Sequence, residues 1–326
     1  LKGLFGGWPE EQLPNTPIYK KAADIFIDYV LGKINPEVAL IWSSEPDKSQ
    51  HAFGVGSDAA KAALREADLE FGRVMEYIRD SSQHQNSDLM ILSDHGYSTI
   101  SEVINIETLL ESSNLAGSGG WLLAQNGGCA LFYLKNQKDV HLVPELVGWL
   151  SSQVWCGTLC SSERLGKVKG TIPLSSIMNE GKRSPDIIMS FNWDSTDNVN
   201  GYSGHVFSTG GAKNLGQHGS MSLHEMNNTL ICCGPTFLES EKILSPSGNI
   251  DILPTILTIL GQDIPDHVEG RVLEESFRET NSEVISVAHK YDASLTTNQA
   301  TYFQEITVSF VGDSKYIDEG NSWLGK

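Results

Sequence analysis

The feature that most constrains this chain is a run of helical periodicity that leads directly into a short apolar segment. From Asp58 to Asp80, apolar side chains recur at Ala60, Leu64, Ala67, Phe71, Val74 and Ile78, with gaps of 4, 3, 4, 3 and 4. That spacing keeps one stripe of a 3.6-residue helix facing a core. Ser57 or Asp58 is suited to cap its start. "DLMIL" (Asp88 to Leu92) follows and reads as a buried strand. Upstream, Tyr19 to Lys33 carries a second helical stripe, and "EVALIW" (Glu37 to Trp42) reads as another buried strand. The order helix, strand, loop, helix, strand, loop predicts an α/β fold with a largely parallel central sheet flanked by helices.

Beyond residue 116 the texture changes. Gly-rich punctuation ("GSGGW", "NGG", "NGYSG", "STGGA") separates short elements, with strands at "CALFYL" and "DIIMSF" and a helix at "VPELVGWLSSQ". Residues 117–215 are therefore expected to form an inserted α+β cap subdomain. Residues 1–116 and 216–277 would supply the two parts of the core. The second part holds a strand at "NTLICCG" and a helix at "NIDILPTILTILG". Residues 278–326 would be a C-terminal extension containing a strand, "FQEITVSFVG".

In α/β sheets, ligands collect at the carboxyl ends of strands. Asp47 and His51 lie in the loop after "EVALIW", Asp94 and His95 follow "DLMIL", and His218 sits between glycines in "GQHGS". Carboxylate oxygen with imidazole nitrogen suits zinc and similar divalent ions. Two ions a few ångström apart would clamp the attacking and leaving oxygens of a displacement at phosphorus. Each motif alone has an ordinary reading as a turn or loop. Their joint placement at strand ends points to metal. His205 and His224 are further candidates for touching substrate, and Asn126 to Gly128 for lining the cap side of the pocket. His84, His141 and His267 are expected to face solvent. Asp251 reads as a first-turn residue complementing its helix dipole.

The net charge of -18 argues against a non-specific nucleic-acid surface, though bound cations can reverse the local sign around a phosphate. The five cysteines are too few for a disulfide scaffold. They read as buried thiols, with a Cys156–Cys160 pair as the alternative. No stretch has the length of a membrane span.

Together, "SEPDKSQHAFGVGS", "SDHGYS" and "GQHGS" resemble the alkaline phosphatase superfamily, and within it the type I phosphodiesterase/nucleotide pyrophosphatase family. "GNIDILPTILTILGQDIPDHVEGRVL" resembles that family's C-terminal core helix and Gly-Arg-x-Leu turn. The resemblance covers residues 19 to 277 and is weakest in the insert. It implies an alkaline-phosphatase-like core and a two-zinc site. Asp47, His51 and His218 would hold one ion, and Asp94 and His95 the other. It also implies a Thr or Ser nucleophile, which would form a phospho-enzyme intermediate with a small phosphate ester. That nucleophile and an accompanying Asp are expected upstream of Leu1, since Thr16 does not fit the family order. Any signal peptide would lie upstream too, so an exported or periplasmic place and a cytoplasmic one both fit, and oligomeric state is open. Phosphonoacetate hydrolysis is a sibling reading. A non-catalytic metal-binding homologue, or an inactive fragment, is the reading of another class.

Overall fold

The computed structural model describes every residue except 114, 116, 117, 281, 282, 298, 299 and 326. The elements in chain order begin with α1 (Lys2–Phe5) and α2 (Thr16–Ile25), the latter running into a π-helical turn, Phe26–Ile34. Next come α3 (Asp47–Phe53), α4 (Asp58–Asp80), β1 (Leu89–Leu92), β2 (Ser98–Val103) and α5 (Ile106–Ser112). A strand-rich region follows: β3 (Trp121–Asn126), β4 (Cys129–Leu134), α6 (Val143–Leu150), β5 (Cys156–Ser161), β6 (Ile172–Pro173), β7 (Ile187–Phe191), β8 (Trp193–Asp197) and β9 (Ser203–Ser208). The chain closes with β10 (Gly216–Gln217), α7 (Leu223–Met226), β11 (Leu230–Cys233), α8 (Ile252–Ile259), β12 (Ser286–Thr296), β13 (Thr301–Val311) and β14 (Ser314–Gly325).

The mixed α/β architecture is present, and strand direction is where it differs from expectation. The described strands form four sheets, ordered β1-β11, β10-β2-β9-β8, β12-β13-β14 and β3-β4-β7-β5-β6. Among the described pairings, β2 with β9 and β5 with β6 run parallel, and the others run antiparallel. Short links explain part of this. β3 and β4 are joined by the two residues Gly127 and Gly128, and a two-residue connection can only reverse the chain.

Helix α4 has the bounds its periodicity predicts, and the Ser57 side chain accepts from the Ala60 amide at 3.2 Å. Its buried face is rotated from the predicted stripe. Ala60, Ala63, Ala67, Glu70 and Val74 are buried, whereas Leu64 is exposed. Small alanines let α2 approach closely, and Arg73 then bridges Glu70 and Asp24, the latter at 2.6 Å. The expected strand "EVALIW" is not formed. Residues 37–42 make no ladder, and Leu40 and Trp42 are 78% and 68% exposed. An apolar run becomes a strand only when a neighbour satisfies its backbone. In this structure β1 pairs with β11 instead.

The largest core lies in the strand-rich region. Phe132, Leu146, Leu150, Leu159, Ile187 and Phe191 are fully buried there. The C-terminal segment was expected to hold one strand. It forms three long ones, of which β13 and β14 pack on β5 and β12 on β6. Gln304 donates to Leu159 O at 3.0 Å and accepts from Leu159 N at 2.7 Å, so a buried amide substitutes for a strand partner. Tyr302 donates to Gly157 O, and Ser322 to Cys156 O at 2.7 Å. Cys156 and Cys160 are buried free thiols, not a disulfide.

Among the histidines expected to face solvent, His141 and His267 do so. His84 does not: it is 6% exposed, with its ring against Tyr77. Among the described residues no helix is long and apolar enough to cross a membrane.

Candidate metal centre

Asp47 and His51 are four residues apart on α3, so both project from one face of the helix. The first turn of that helix is held by Glu45, a buried carboxylate that accepts from Ser49 N at 3.1 Å and Asn15 N at 2.6 Å. His51 donates through Nδ1 to Gly216 O at 3.0 Å. A carbonyl only accepts, so Nδ1 carries a proton here and Nε2 is the ring nitrogen turned to the cluster. Glycine at 216 is required by this approach, because a Cβ there would lie 2.7 Å from Gln50 O.

Asp94 and His95 occupy the turn between β1 and β2. Its backbone is fastened on three sides. Ser93 N donates to Thr229 O at 3.0 Å, Gly96 N to Glu225 O at 2.7 Å, and Tyr97 N to His224 O at 3.0 Å. A Cβ at Gly96 would lie 2.2 Å from His224 O, so only glycine lets the turn dock this closely. His95 repeats the pattern of His51, with Nδ1 against a carbonyl, Gly96 O, at 3.0 Å.

His218 enters from the loop after β10. Glu225 holds that loop from inside the protein, accepting from Ser220 N and Ser220 Oγ, both at 2.7 Å. Its carboxyl is pushed up by burial, with the Ser220 hydrogen bonds opposing. Glu225 thus ties the two ligand loops together, by side chain to one and by backbone to the other. The turn Asn126 to Gly128 lies against the same loop, and Gly128 N donates to His218 O at 2.9 Å.

The three imidazoles converge. The Nε2 atoms of His51, His95 and His218 lie 3.8, 3.9 and 3.9 Å from Oδ1 of Asp47. His95 Nε2 is also 3.5 Å from Asp94 Oδ2. The rings of His95 and His218 stack at 3.6 Å with 18° between their planes. Ligand atoms of Asp47, His51 and His218 all fall within 4.8 Å of one another. Donors on a four-coordinate ion with bonds of about 2.0–2.1 Å stand about 3.3–3.5 Å apart. The distances to Asp47 are too long for hydrogen bonds and a few tenths of an ångström beyond that edge length, so small side-chain movements would let the donor set hold a divalent ion.

His218 is held down to about 4, chiefly by burial and then by His95 and His51, with Asp47 and Asp94 opposing. Its imidazole is therefore neutral and ready to coordinate near neutral pH. Unfolded chain takes up the proton near 6.5 and folded chain only near 4. Stability of the metal-free protein is thus complete above about 6.5 and declines as pH falls toward 4. Urea midpoints measured across that interval should drop, and His218→Gln should flatten the slope.

Tyr97 is a residue that the motif reading did not single out. Its hydroxyl donates to Asp47 Oδ1. Burial, then this hydrogen bond, push the phenol well above its usual range. His205 and His224 do not join the cluster by any contact among the described residues. His224 Nε2 faces Ser195 Oγ at 3.0 Å, and His205 Nδ1 faces Thr196 O at 3.0 Å and its hydroxyl at 3.1 Å. Asp251 lies at the start of α8, as expected for a first-turn residue. It is fully buried and reaches well beyond its own helix.

Known proteins share both the sequence pattern and the fold. The venom phosphodiesterase of Naja atra is 33% identical over 89 residues, 27% of this chain and 11% of that protein. The bis(5'-adenosyl)-triphosphatase enpp4 of Xenopus laevis is 23% identical over 234 residues, 68% of this chain and 44% of its own. The chain thus spans less than half the length of the curated relatives it matches. Among solved structures, murine ectonucleotide pyrophosphatase/phosphodiesterase 5 superposes with a TM-score of 0.59 at 16% identity, over 79% of this chain and 64% of that one, a likeness of fold. The model of the type I phosphodiesterase / nucleotide pyrophosphatase family matches residues 16–220, which run from α2 through α3 and the β1–β2 turn to the loop that holds His218. With the match covering well over half of the chain, it belongs to that family.

Proposed function

We propose that this chain carries the metal-binding half of a hydrolase acting on phosphodiester or nucleotide pyrophosphate bonds. The observation that carries this reading is the convergence of three imidazole Nε2 atoms on one oxygen of Asp47, from helix α3, the β1–β2 turn and the loop after β10. Asp47, His51 and His218 would hold one divalent ion. Asp94 and His95 would hold a second, and zinc suits both sets best. When bound, such ions neutralise phosphoryl oxygens and lower the pKa of a bound hydroxyl or water.

The protein's own contribution is orientation. Nδ1 of His51 and of His95 is tied to a backbone carbonyl, which points Nε2 inward. Neutral His218 offers a lone pair rather than a repelling charge. The nucleophile is proposed to be a Thr or Ser outside this chain. His205 and His224 are proposed for the substrate-facing rim, since the His224 carbonyl holds the backbone of Tyr97. A small phosphate ester is the substrate class that this centre would take despite the net charge of -18, because the ions set the local sign.

Protein expressed from the complete gene should hydrolyse bis-4-nitrophenyl phosphate faster than 4-nitrophenyl phosphate, and chelation should abolish both. Turnover of phosphonoacetate alone would move the substrate class to a phosphonate. Tight zinc binding with no turnover of any of the three would assign a non-catalytic role.

A further inference from the structure

Tyr97 stands outside the five ligating side chains, yet it touches four of them. Its ring centroid lies 5.3, 5.4 and 5.4 Å from those of His51, His95 and His218, edge-on or tilted to each. Its hydroxyl meets Asp47 twice, donating to Oδ1 and lying 3.2 Å from the backbone carbonyl. The residue is itself immobilised: its amide donates to His224 O at 3.0 Å, and Gly216 leaves room for its ring where a Cβ would lie 3.0 Å from Tyr97 Cδ1.

Asp47 needs such a partner. Its side chain is 44% exposed and opens α3, where a carboxylate can turn freely. The imidazoles around it are beyond hydrogen-bond length. A carboxylate oxygen carries two in-plane lone pairs. Donation by Tyr97 to Oδ1 takes one and fixes the rotation of the group, which aims the remaining lone pairs of the carboxylate at the space the three Nε2 atoms enclose.

We infer that Tyr97 is a positioning residue of the metal centre, acting on the ion through Asp47 and on the three imidazoles through its ring. The inference rests on the metal reading proposed above. Hydrogen-bond partners of ligands commonly tune metal affinity by about 10- to 100-fold.

Two variants separate hydroxyl from ring. In Tyr97→Phe the ring stays and the hydrogen bond goes. Zinc affinity, measured by competition with a chromophoric chelator, should fall about 10-fold or more. The melting temperature of the metal-free chain should not change, and the visible absorption of the cobalt(II)-loaded chain should shift as Asp47 reorients. Tyr97→Leu removes ring packing too, so both affinity and melting temperature should fall. Tyr97→Phe with wild-type zinc affinity and an unshifted cobalt spectrum overturns the inference while leaving the metal site standing. A wild-type chain that binds no zinc overturns the metal reading and this inference together.

Discussion

His218→Ala is expected to lower zinc affinity by about 100-fold or more, a larger loss than removing an outer hydrogen-bond partner brings. Asp47→Asn should act in the same direction. The two variants test different halves of one arrangement. His218 comes from the loop after β10, where Glu225 and the Asn126–Gly128 turn hold it, so its removal leaves α3 untouched. Asp47 supplies the oxygen around which His51, His95 and His218 are grouped, so Asn keeps the shape but withdraws the charge. Metal-free stability separates site from scaffold. Near pH 7.5, His218→Ala should melt close to wild type without zinc, and it should lose most of the zinc-dependent rise in midpoint. Isothermal titration with zinc chloride gives the affinities. Two variants that bind zinc as tightly as wild type would remove Asp47 and His218 from any metal site.

The second large effect is expected at Asp251. Its side chain is fully buried. Oδ2 accepts from Gly248 N at 2.8 Å, and Oδ1 accepts from Arg271 N at 2.8 Å and from Tyr316 OH at 3.1 Å. It joins the start of α8, the Gly270-Arg271 turn and β14. Arg271 continues the network, with donors 2.6 and 2.8 Å from the two oxygens of Glu275 and a third 2.9 Å from Pro246 O. Asp251→Ala leaves three donors without their acceptor at once, the buried Tyr316 hydroxyl and the part-buried amides of Gly248 and Arg271. Each lost partner costs about 1–3 kcal/mol, and the losses are not additive. A net destabilisation of about 2–4 kcal/mol is expected, since a buried carboxylate loses neutral hydrogen-bond donors on three elements. Urea unfolding at neutral pH measures it, and a loss under about 1 kcal/mol would show that the network is dispensable. Limited proteolysis should cut the C-terminal strands of the variant first, because β14 loses a tether.

How much was legible depends on whether a feature is local. The bounds of α4 and its Ser57 cap follow from spacing and hydroxyl chemistry within a few residues, and both were readable. Which face of α4 is buried depends on what covers it, so Leu64 could not be placed by periodicity alone. "EVALIW" reads as a strand because it is apolar, but a strand also needs a partner across the ladder. β12 and β14 were missed for the opposite reason. "SKYIDEGNSWLG" is polar and glycine-bearing, and it extends only because β13 pairs along its whole length. At the site, Asp47, His51, Asp94, His95 and His218 stood out by residue type at expected strand ends, although among the described residues no strand precedes Asp47 and His51, which lie on α3. Tyr97 carried no such signal, since a tyrosine after Asp-His-Gly is indistinguishable from a packing residue. Glu225 was equally silent, because its role lies in joining two loops distant in sequence.

Sequence by itself determined the residue types and their order along the chain: two carboxylates and three imidazoles that could hold a metal, the glycines beside them, and the family pattern they spell. Those are properties of residue type and short spacing. Only the tertiary structure decided that three imidazoles stand around one oxygen of Asp47, that Tyr97 donates to that carboxylate, and that Glu225 binds the two loops together. Tyr97 reaches Asp47 across 50 residues and His51 reaches Gly216 across 165, and contacts at such range depend on how elements pair and pack, of which short-range pattern carries no record.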